Sequence, residues 1–458
     1  MRGVGVQVLQ ENSEGVSAAL EMIAGFDTAL VDGFARVSER QNAALAALAG
    51  AVAGSPLAVP VAEAVAKLST GAIAPEQLSA LAAARSALLG AVHDALLEQA
   101  DKALGRNRFE WECPPVESAP SPLAVGSRAW LGELAIAGWR GVDHDLVSAA
   151  DKTVEALLAE PALRRLAVLL DGFTAELSAS SPIATADRLP VRRWADLWTR
   201  ALLLSWRGTE FAVAEQVSGR LLVLGVDVHE HGTAVQAQVH GVVETAGAPA
   251  RRVRVSVAAA KVNTIVGPAI WQLLGAHPQL LTALAQHRVL ELTDMPLTAS
   301  GDLLWQDDHA KAGEQADPFV TATVLLPQAQ APAVPPLDRD PVHIAEPVLF
   351  QDYRISDGAL ESDGQRVPVE LGALPPSGPL TDVAVRNSSA MIGLLRWDAN
   401  GWSVRPLAVR RKVKGVVTDI HGGDWALGPT DPKIAKAQAK SGDAVAVLRE
   451  RAGRLLRK

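Results

Sequence analysis

The hydrophobic pattern changes period near residue 218, and that change limits the fold more than any other feature. Before it, apolar residues recur at helical spacing. From Gly219 to about Ile420 they mostly alternate, or come in short runs between turns, as in strands. The pattern predicts a multidomain α+β chain: a helical N-terminal half, a mostly antiparallel β C-terminal half and a C-terminal helix. No complete catalytic, nucleotide-binding or metal-ligand motif lies on either side of the switch.

Residues 13–104 read as long amphipathic helices. Val16, Leu20, Ile23, Leu30, Phe34 and Val37 share a face, which Leu45 and Leu48 extend. Pro75 suits a first turn and precedes Glu76. Leu78, Leu81, Ala84, Leu88, Val92 and Ala95 then recur in steps of three and four, the seam of a helical hairpin or bundle over 1–105. Residues 106–125 carry four prolines and read as a linker. Helices resume at about 126–140, 143–160 and 162–179 in a second block, 126–216, with Asp143 as an N-cap and Pro161 opening the third. The first block holds more Leu, Val and Ala than one hairpin can bury. Either the 126–206 helices cover the surplus or a protein partner does, with Leu88 on the exposed surface in the second case.

After Pro190, Trp194, Leu197, Trp198, Ala201 and Leu202 form one stripe, while Arg192, Asp196 and Arg200 are spaced for i,i+4 pairing. Trp194 and Trp198, one turn apart, should anchor a core or a domain interface. The segment Arg193-Trp194-Ala195-Asp196-Leu197-Trp198-Thr199-Arg200-Ala201 resembles a stretch in uncharacterised bacterial proteins encoded beside a SWIM zinc-finger protein, a MoxR-type AAA+ ATPase and a von Willebrand A-domain protein. The similarity covers about a dozen residues of one amphipathic helix and brings no catalytic residue. It implies an accessory subunit working with an ATPase partner.

The β half divides at 327–340, a Pro/Ala-rich linker between a unit at 217–326 and a smaller one at 341–458. Leu221–Glu230 and Thr233–Val243 read as a hairpin around His231-Gly232, pairing Val228 with Val235, Val226 with Ala237, Leu224 with Val239, and Asp227 with Gln236 on the wet side. A third strand, Arg252–Ala258, alternates Val253, Val255 and Val257 with Arg and Ser. Helical turns are expected at 265–275 and 278–286, and strands near 288–293, 302–306 and 318–326. A second hairpin joins 392–397 to 402–409 through Asp398-Ala399-Asn400-Gly401. Asp431-Pro432 opens the last helix, whose stripe is Val445, Leu448, Ala452 and Leu455.

Candidates for chemistry are few. Asp227, His229 and His231 share a strand face as transition-metal ligands do, but the expected register puts His240 opposite Val223, roughly 20 Å from His229. Asp307, Asp308 and His309 lie in an acid-rich loop, Asp302–Asp317, of the kind that can hold a hard cation. His421-Gly422-Gly423-Asp424 resembles an esterase oxyanion loop, yet no G-x-S-x-G follows, and a tight turn is expected. Cys113 is the single cysteine, which excludes an intrachain disulfide and a Cys-based zinc cluster. No metal or cofactor is expected.

The net charge of −8 hides a basic end: residues 402–458 hold thirteen Lys/Arg against five Asp/Glu. Arg410, Arg411 and Lys412 beside Trp402 would serve as a contact surface for an acidic partner or nucleic acid. The N-terminus lacks a signal-peptide core and no membrane span is read, so a cytoplasmic address is expected. The bias to Ala, Leu, Val, Gly and Arg, with 11 Trp against 7 Phe, fits a GC-rich bacterial genome. The resulting expectation is a non-catalytic interaction or scaffold subunit of a bacterial assembly. The alternatives are a nucleic-acid-binding accessory protein using 402–458, and a hydrolase or metalloenzyme whose site is assembled from distant residues. An enzyme should show a pocket where His229 or His309 meets other polar groups.

Overall fold

The computed structural model describes residues 3–11, 15–112, 121–206, 213–339, 344–398, 401–441, 445–447 and 450. It is a mixed α+β structure with a helical N-terminal half, mostly antiparallel strands after it and a short C-terminal helix. The helical half comprises α1 (Gly3–Gln10), α2 (Val16–Asp32), α3 (Glu39–Ala51), α4 (Ala58–Ser69), α5 (Pro75–Leu104), α6 (Ala124–Ala137), α7 (His144–Ser148), α8 (Asp151–Ala159), α9 (Arg164–Ala179) and α10 (Val191–Leu204).

Local signals fix these boundaries. Ser38 and Gln41 form a reciprocal capping box at the start of α3. The Gln41 amide also donates to the Ala29 and Gly33 carbonyls at 3.0 and 2.7 Å, closing the end of α2. Gly33 has φ 75° and presses against Gly138, where an added Cβ would lie 2.4 Å from the Gly138 nitrogen. Pro75 occupies the first turn of α5, and Gly105 in the left-handed region ends it.

Both expected helical blocks share one core. Phe26, Leu45, Leu78 and Leu81 pack with Trp130, Leu170, Trp194 and Trp198. Trp139 stands edge-on to Trp194 and Phe173 at centroid distances of 6.1 and 6.0 Å. The buried Leu, Val and Ala side chains of 26–84 in this cluster are thus covered by residues of 124–204. Among the described residues, α5 alone is long and apolar enough to cross a membrane, and half of that stretch is buried here by its neighbours. α1 lies between the two halves: Gln99 of α5 donates to the Val8 carbonyl at 2.8 Å, while Val6 and Leu9 pack with Ala100 of α5 and with Val348, Phe350 and Leu395 of the β half.

The first sheet contains β1 (Val213–Glu230), β2 (Ala234–Glu244), β3 (Arg251–Ala260), β4 (Arg288–Thr298), β5 (Asp302–Leu303) and β6 (Ala310–Gln315). β1 pairs with both β2 and β4, so the ladder β1-β2-β3-β5-β4 closes on itself, while β6 adds to β4. Closure pairs β1 and β4 on both sides and leaves β6 as the edge strand. The second sheet runs β13-β12-β11-β7 and contains β7 (Ala345–Gln351), β11 (Ala390–Asp398), β12 (Gly401–Val413) and β13 (Val416–His421). Three short strands, β8 (Arg354–Ser356), β9 (Ala359–Ser362) and β10 (Gln365–Pro368), form a third. Leu224 and Val242 pack on Leu349, Ile392 and Ala408, joining the first two sheets. Gly225 permits this approach, because a Cβ there would lie 2.8 Å from Leu407. The remaining helices are α11 (Ile270–Leu273), α12 (Pro278–Gln286), α13 (Pro318–Val324), α14 (Asp382–Arg386) and α15 (Pro432–Ser441).

Several expectations need correction. The β1–β2 hairpin exists, but Val228 pairs with Ala237, Val226 with Val239, and Asp227 with Gln238. The partners are displaced by two residues, so the apolar face is kept while every expected pair changes. The loop spans residues 231–233, closed by the His231 N–H on the Ala234 carbonyl at 2.8 Å. A bulge between Val223 and Gly225 removes Leu224 from the ladder, so it does not pair with Val239. Residues 318–324 are helical, not extended, because Asp317 caps the Phe319 and Val320 N–H groups and Pro318 takes the first turn. The acid-rich loop is ordered as β5, a 3-10 turn and β6. Over 327–339 the expected linker acts as a strap: Ala329, Ala331 and Ala333 are buried, and the Gln330 carbonyl accepts from the Arg252 N–H at 3.0 Å. The second hairpin pairs Trp397 with Trp402 as expected, its Ala399 and Asn400 lying outside the described residues. Cys113, Leu448, Ala452 and Leu455 also lie outside them.

Candidate functional site

Strand alternation gives the β1–β2–β3 ladder one apolar and one mixed face. Val226, Val228, Val235, Val239, Val253, Val255 and Val257 fill the core of the closed sheet. The opposite face carries Asp227, His229, Gln236, Gln238, His240, Arg252 and Arg254. Part of it packs on the second sheet, and the rest forms the floor of a cavity of about 430 Å³. α5 contributes His93 and Leu97, α10 contributes Arg200, the strap contributes Pro332–Pro335 and Asp338, and the second sheet contributes Glu346 and Arg396. The face expected to be wet is instead an internal polar surface where the helical half, the strap and both sheets meet.

Its electrostatics are organised around two carboxylates. Glu346 accepts from Arg106 at 3.3 Å, from Arg108 at 3.0 Å, and from Arg252. Burial alone would raise the Glu346 carboxyl, but Arg252, Arg108 and Arg106 hold it well below its ordinary range. Arg108 also grips Asp101 at 2.7 and 2.9 Å. The second centre is Asp227, which accepts from Arg405 and lies 3.1 Å from His229 Nε2. Burial again opposes ionisation there, yet the hydrogen bond from His229 and the charge of Arg405 lower this carboxyl to about 2. Burial pushes the His240 imidazole down to about 3, so it is neutral at physiological pH.

Among the described residues, several polar atoms on this face have no partner: Arg252 Nε and Nη2, Arg254 Nε, and His240 Nε2. Arg252 and His240 are 4% and 1% exposed. Buried polar groups are nearly always satisfied, so such a concentration marks a place where a ligand can complete the bonding.

The structure brings Asp227 and His229 together and adds His240, which pairs with Gly225 rather than Val223 and lines the same cavity. His231 stays exposed at the hairpin tip. Asp307 accepts from the Gln279 N–H and Trp305 Nε1, both at 3.2 Å, His309 Nδ1 contacts the Thr293 and Asp294 carbonyl oxygens, and Asp308 is exposed; none lines the cavity. Among the described residues no group of three His, Cys, Asp or Glu side chains is placed to hold a metal ion. The 421–424 segment is a tight turn, with the His421 N–H on Asp424 Oδ2 at 3.0 Å.

The interaction candidates fall differently. Trp194 and Trp198 are fully buried in the helical core, and Trp198 Nε1 donates to the Leu131 carbonyl at 2.9 Å. Leu88 is half-buried between that core and the cluster of Val92, Leu96 and Trp397. Arg410 is held by Asp419 and Asp317 and stacks over Phe319 at 4.4 Å. Arg411 is half-buried and Lys412 is exposed. Sequence reasoning missed Arg108, Arg252, Arg254 and Glu346. The available signal was the alternation of arginines with valines on β3, placed beside a strand already carrying Asp and His. The chain matches no family model, no curated protein and no solved structure.

Proposed function

We propose that this chain is a non-catalytic ligand-binding subunit, whose small-molecule ligand sits in the junction cavity and fixes the helical half against the two sheets. The observation that carries this reading is the convergence of unpartnered buried donors on a cavity of about 430 Å³ bounded by α5, α10, the strap and both sheets. The His229–Asp227 pair could orient a base, which keeps a hydrolase in view. However, the cavity hydroxyl, Ser300, is bonded to Asp302 and Thr298 at 2.8 Å each rather than to His229. Binding is the simpler use of this geometry.

The wider role we propose is an interaction subunit of a bacterial cytoplasmic assembly, with an AAA+ ATPase as the partner suggested by the Arg193–Ala201 resemblance. Within that stretch Trp194, Ala195, Trp198, Thr199 and Ala201 are buried, so the likeness concerns a core helix rather than a contact surface. A second reading, nucleic-acid contact through 402–458, is favoured by exposed Lys412 at the end of β12 and Lys414 in the β12–β13 turn; steeply salt-dependent binding would mark it.

A thermal-shift screen of the full chain against small metabolites of anionic, cationic and neutral classes tests the ligand reading. At least one class should raise Tm by several degrees, and Gln236→Trp, which fills the cavity, should remove the shift. No stabilisation by any class would overturn it.

A further inference from the structure

Resting on that ligand-binding reading, we propose that the cavity recognises a phosphate monoester on a small polyol or sugar, with Arg252, Arg254 and His240 holding the phosphate. Arg252 and Arg254 alternate on β3 and so project from the same face, roughly 7 Å apart along the strand. His240 is the ladder partner of Arg254 on the neighbouring strand. All three line the cavity.

Each group has capacity to spare. Arg252 Nη1 is engaged by Glu346, leaving Nε and Nη2 without partners. Arg254 Nη2 holds Asp302 at 2.9 Å, leaving Nε. His240 Nε2 has no partner among the described residues. A carboxylate presents two oxygens in one plane. A phosphate monoester presents three around a tetrahedral centre, which suits donors arriving from two strands and from separate side chains.

The charge balance points the same way. Among the described residues, three guanidinium groups, Arg106, Arg108 and Arg252, share two carboxylates, Glu346 and Asp101, which leaves one positive charge uncompensated. The other two acids of the lining are already matched from outside it: Asp227 by Arg405 and Asp338 by Arg165. An anion is the charge this cavity lacks. Beyond the cationic end, Gln236, Gln238 and the Asp227 carboxylate offer bonding to hydroxyl groups, which sets the polyol part of the ligand.

Isothermal titration of the full chain with ribose 5-phosphate, glycerol 3-phosphate, ribose and succinate tests the proposal. Both phosphate monoesters should bind and ribose should not. Arg254→Met and His240→Asn should each weaken phosphate binding about tenfold or more. Arg254 is the primary position because it is half-exposed and its loss spares the Glu346 cluster; circular dichroism checks that both variants fold. Equal or tighter binding of succinate would overturn the phosphate assignment. Binding of ribose undiminished by Arg254→Met would overturn it while leaving the ligand-binding reading standing. Failure of both phosphate monoesters to bind would also overturn it, and the Tm screen then decides whether the wider reading survives.

Discussion

Arg405 on β12 donates through Nη1 to both carboxylate oxygens of Asp227 on β1, at 3.0 and 3.2 Å, and so ties two separate sheets together. The same guanidinium reaches Glu370 through Nε at 2.9 Å. Asp227 thereby serves two purposes, holding the sheets and positioning His229 beside the cavity.

Asp227→Asn keeps the shape but removes the charge, leaving Arg405 only partly compensated. It should destabilise the chain by about 3 kcal/mol. The pH signature has a definite sign. The carboxyl sits at about 2 in the fold, below its ordinary 3.8, so its contribution is present above about pH 4 and lost as pH falls through about 2. Urea unfolding across this acid range should show the gap between wild type and variant closing; a constant gap would contradict the assignment.

The two buried imidazoles act over a different window. Burial pushes His240 to about 3, and burial assisted by the nearby His287 pushes His421 to about 4. The unfolded chain takes up these protons first, near pH 6.5, so stability is full above that value and falls on acidification toward 4. His240→Gln and His421→Gln should each flatten the stability profile by about 1 kcal/mol per pH unit between roughly pH 6 and 4.5. An unchanged slope in both variants would show that neither ring is held neutral.

In the helical half, Arg85 is 1% exposed and donates to Asp27 at 2.6 and 3.0 Å and to Asp196 at 2.7 Å. Arg85→Leu strands the buried Asp27 and should cost about 3–5 kcal/mol. Replacing Asp27 by Leu as well should recover much of that loss, because Asp196 keeps Arg192 at 3.2 Å. Guanidinium unfolding of both variants reads this directly. A double variant no more stable than the single one would contradict it.

A chain beginning at residue 106 should fail to form the helical half. Leu78, Leu81 and Ala84 of α5 belong to the core built by Trp130, Leu170 and Trp194, so removing them exposes the centre of the bundle. The near-ultraviolet circular dichroism of the tryptophans should collapse. A retained signal would show that residues 124–204 fold alone.

Elements governed by local periodicity were legible in the chain. The α5 seam, the Asp431-Pro432 start of α15 and the faces of the β1–β2 hairpin all follow from spacing and caps. The hairpin register was not, because the loop takes three residues, 231–233, and the bulge at Leu224 depends on packing of Gly225 against Leu407 of the second sheet. α13 was missed because valines and threonines at 320–324 favour strands, whereas the Asp317-Pro318 cap decides the outcome. The cavity was invisible for a different reason. Glu346 meets Arg106, Arg108 and Arg252 across separations of 94 to 241 residues, including the adjoining Pro347 carbonyl, and no spacing rule reaches so far. Prolines at 327, 332, 335 and 336 read as a spacer, yet Ala329, Ala331 and Ala333 between them are what allow the strap to bury.

The central claim is that a small anion occupies the junction cavity and joins its walls. Hydrogen–deuterium exchange of the full chain with and without saturating ribose 5-phosphate tests it most directly. The account predicts slower exchange in β3, Arg251–Ala260, and in the strap at 329–339, with α8 unaffected. Unchanged exchange in both segments would contradict it.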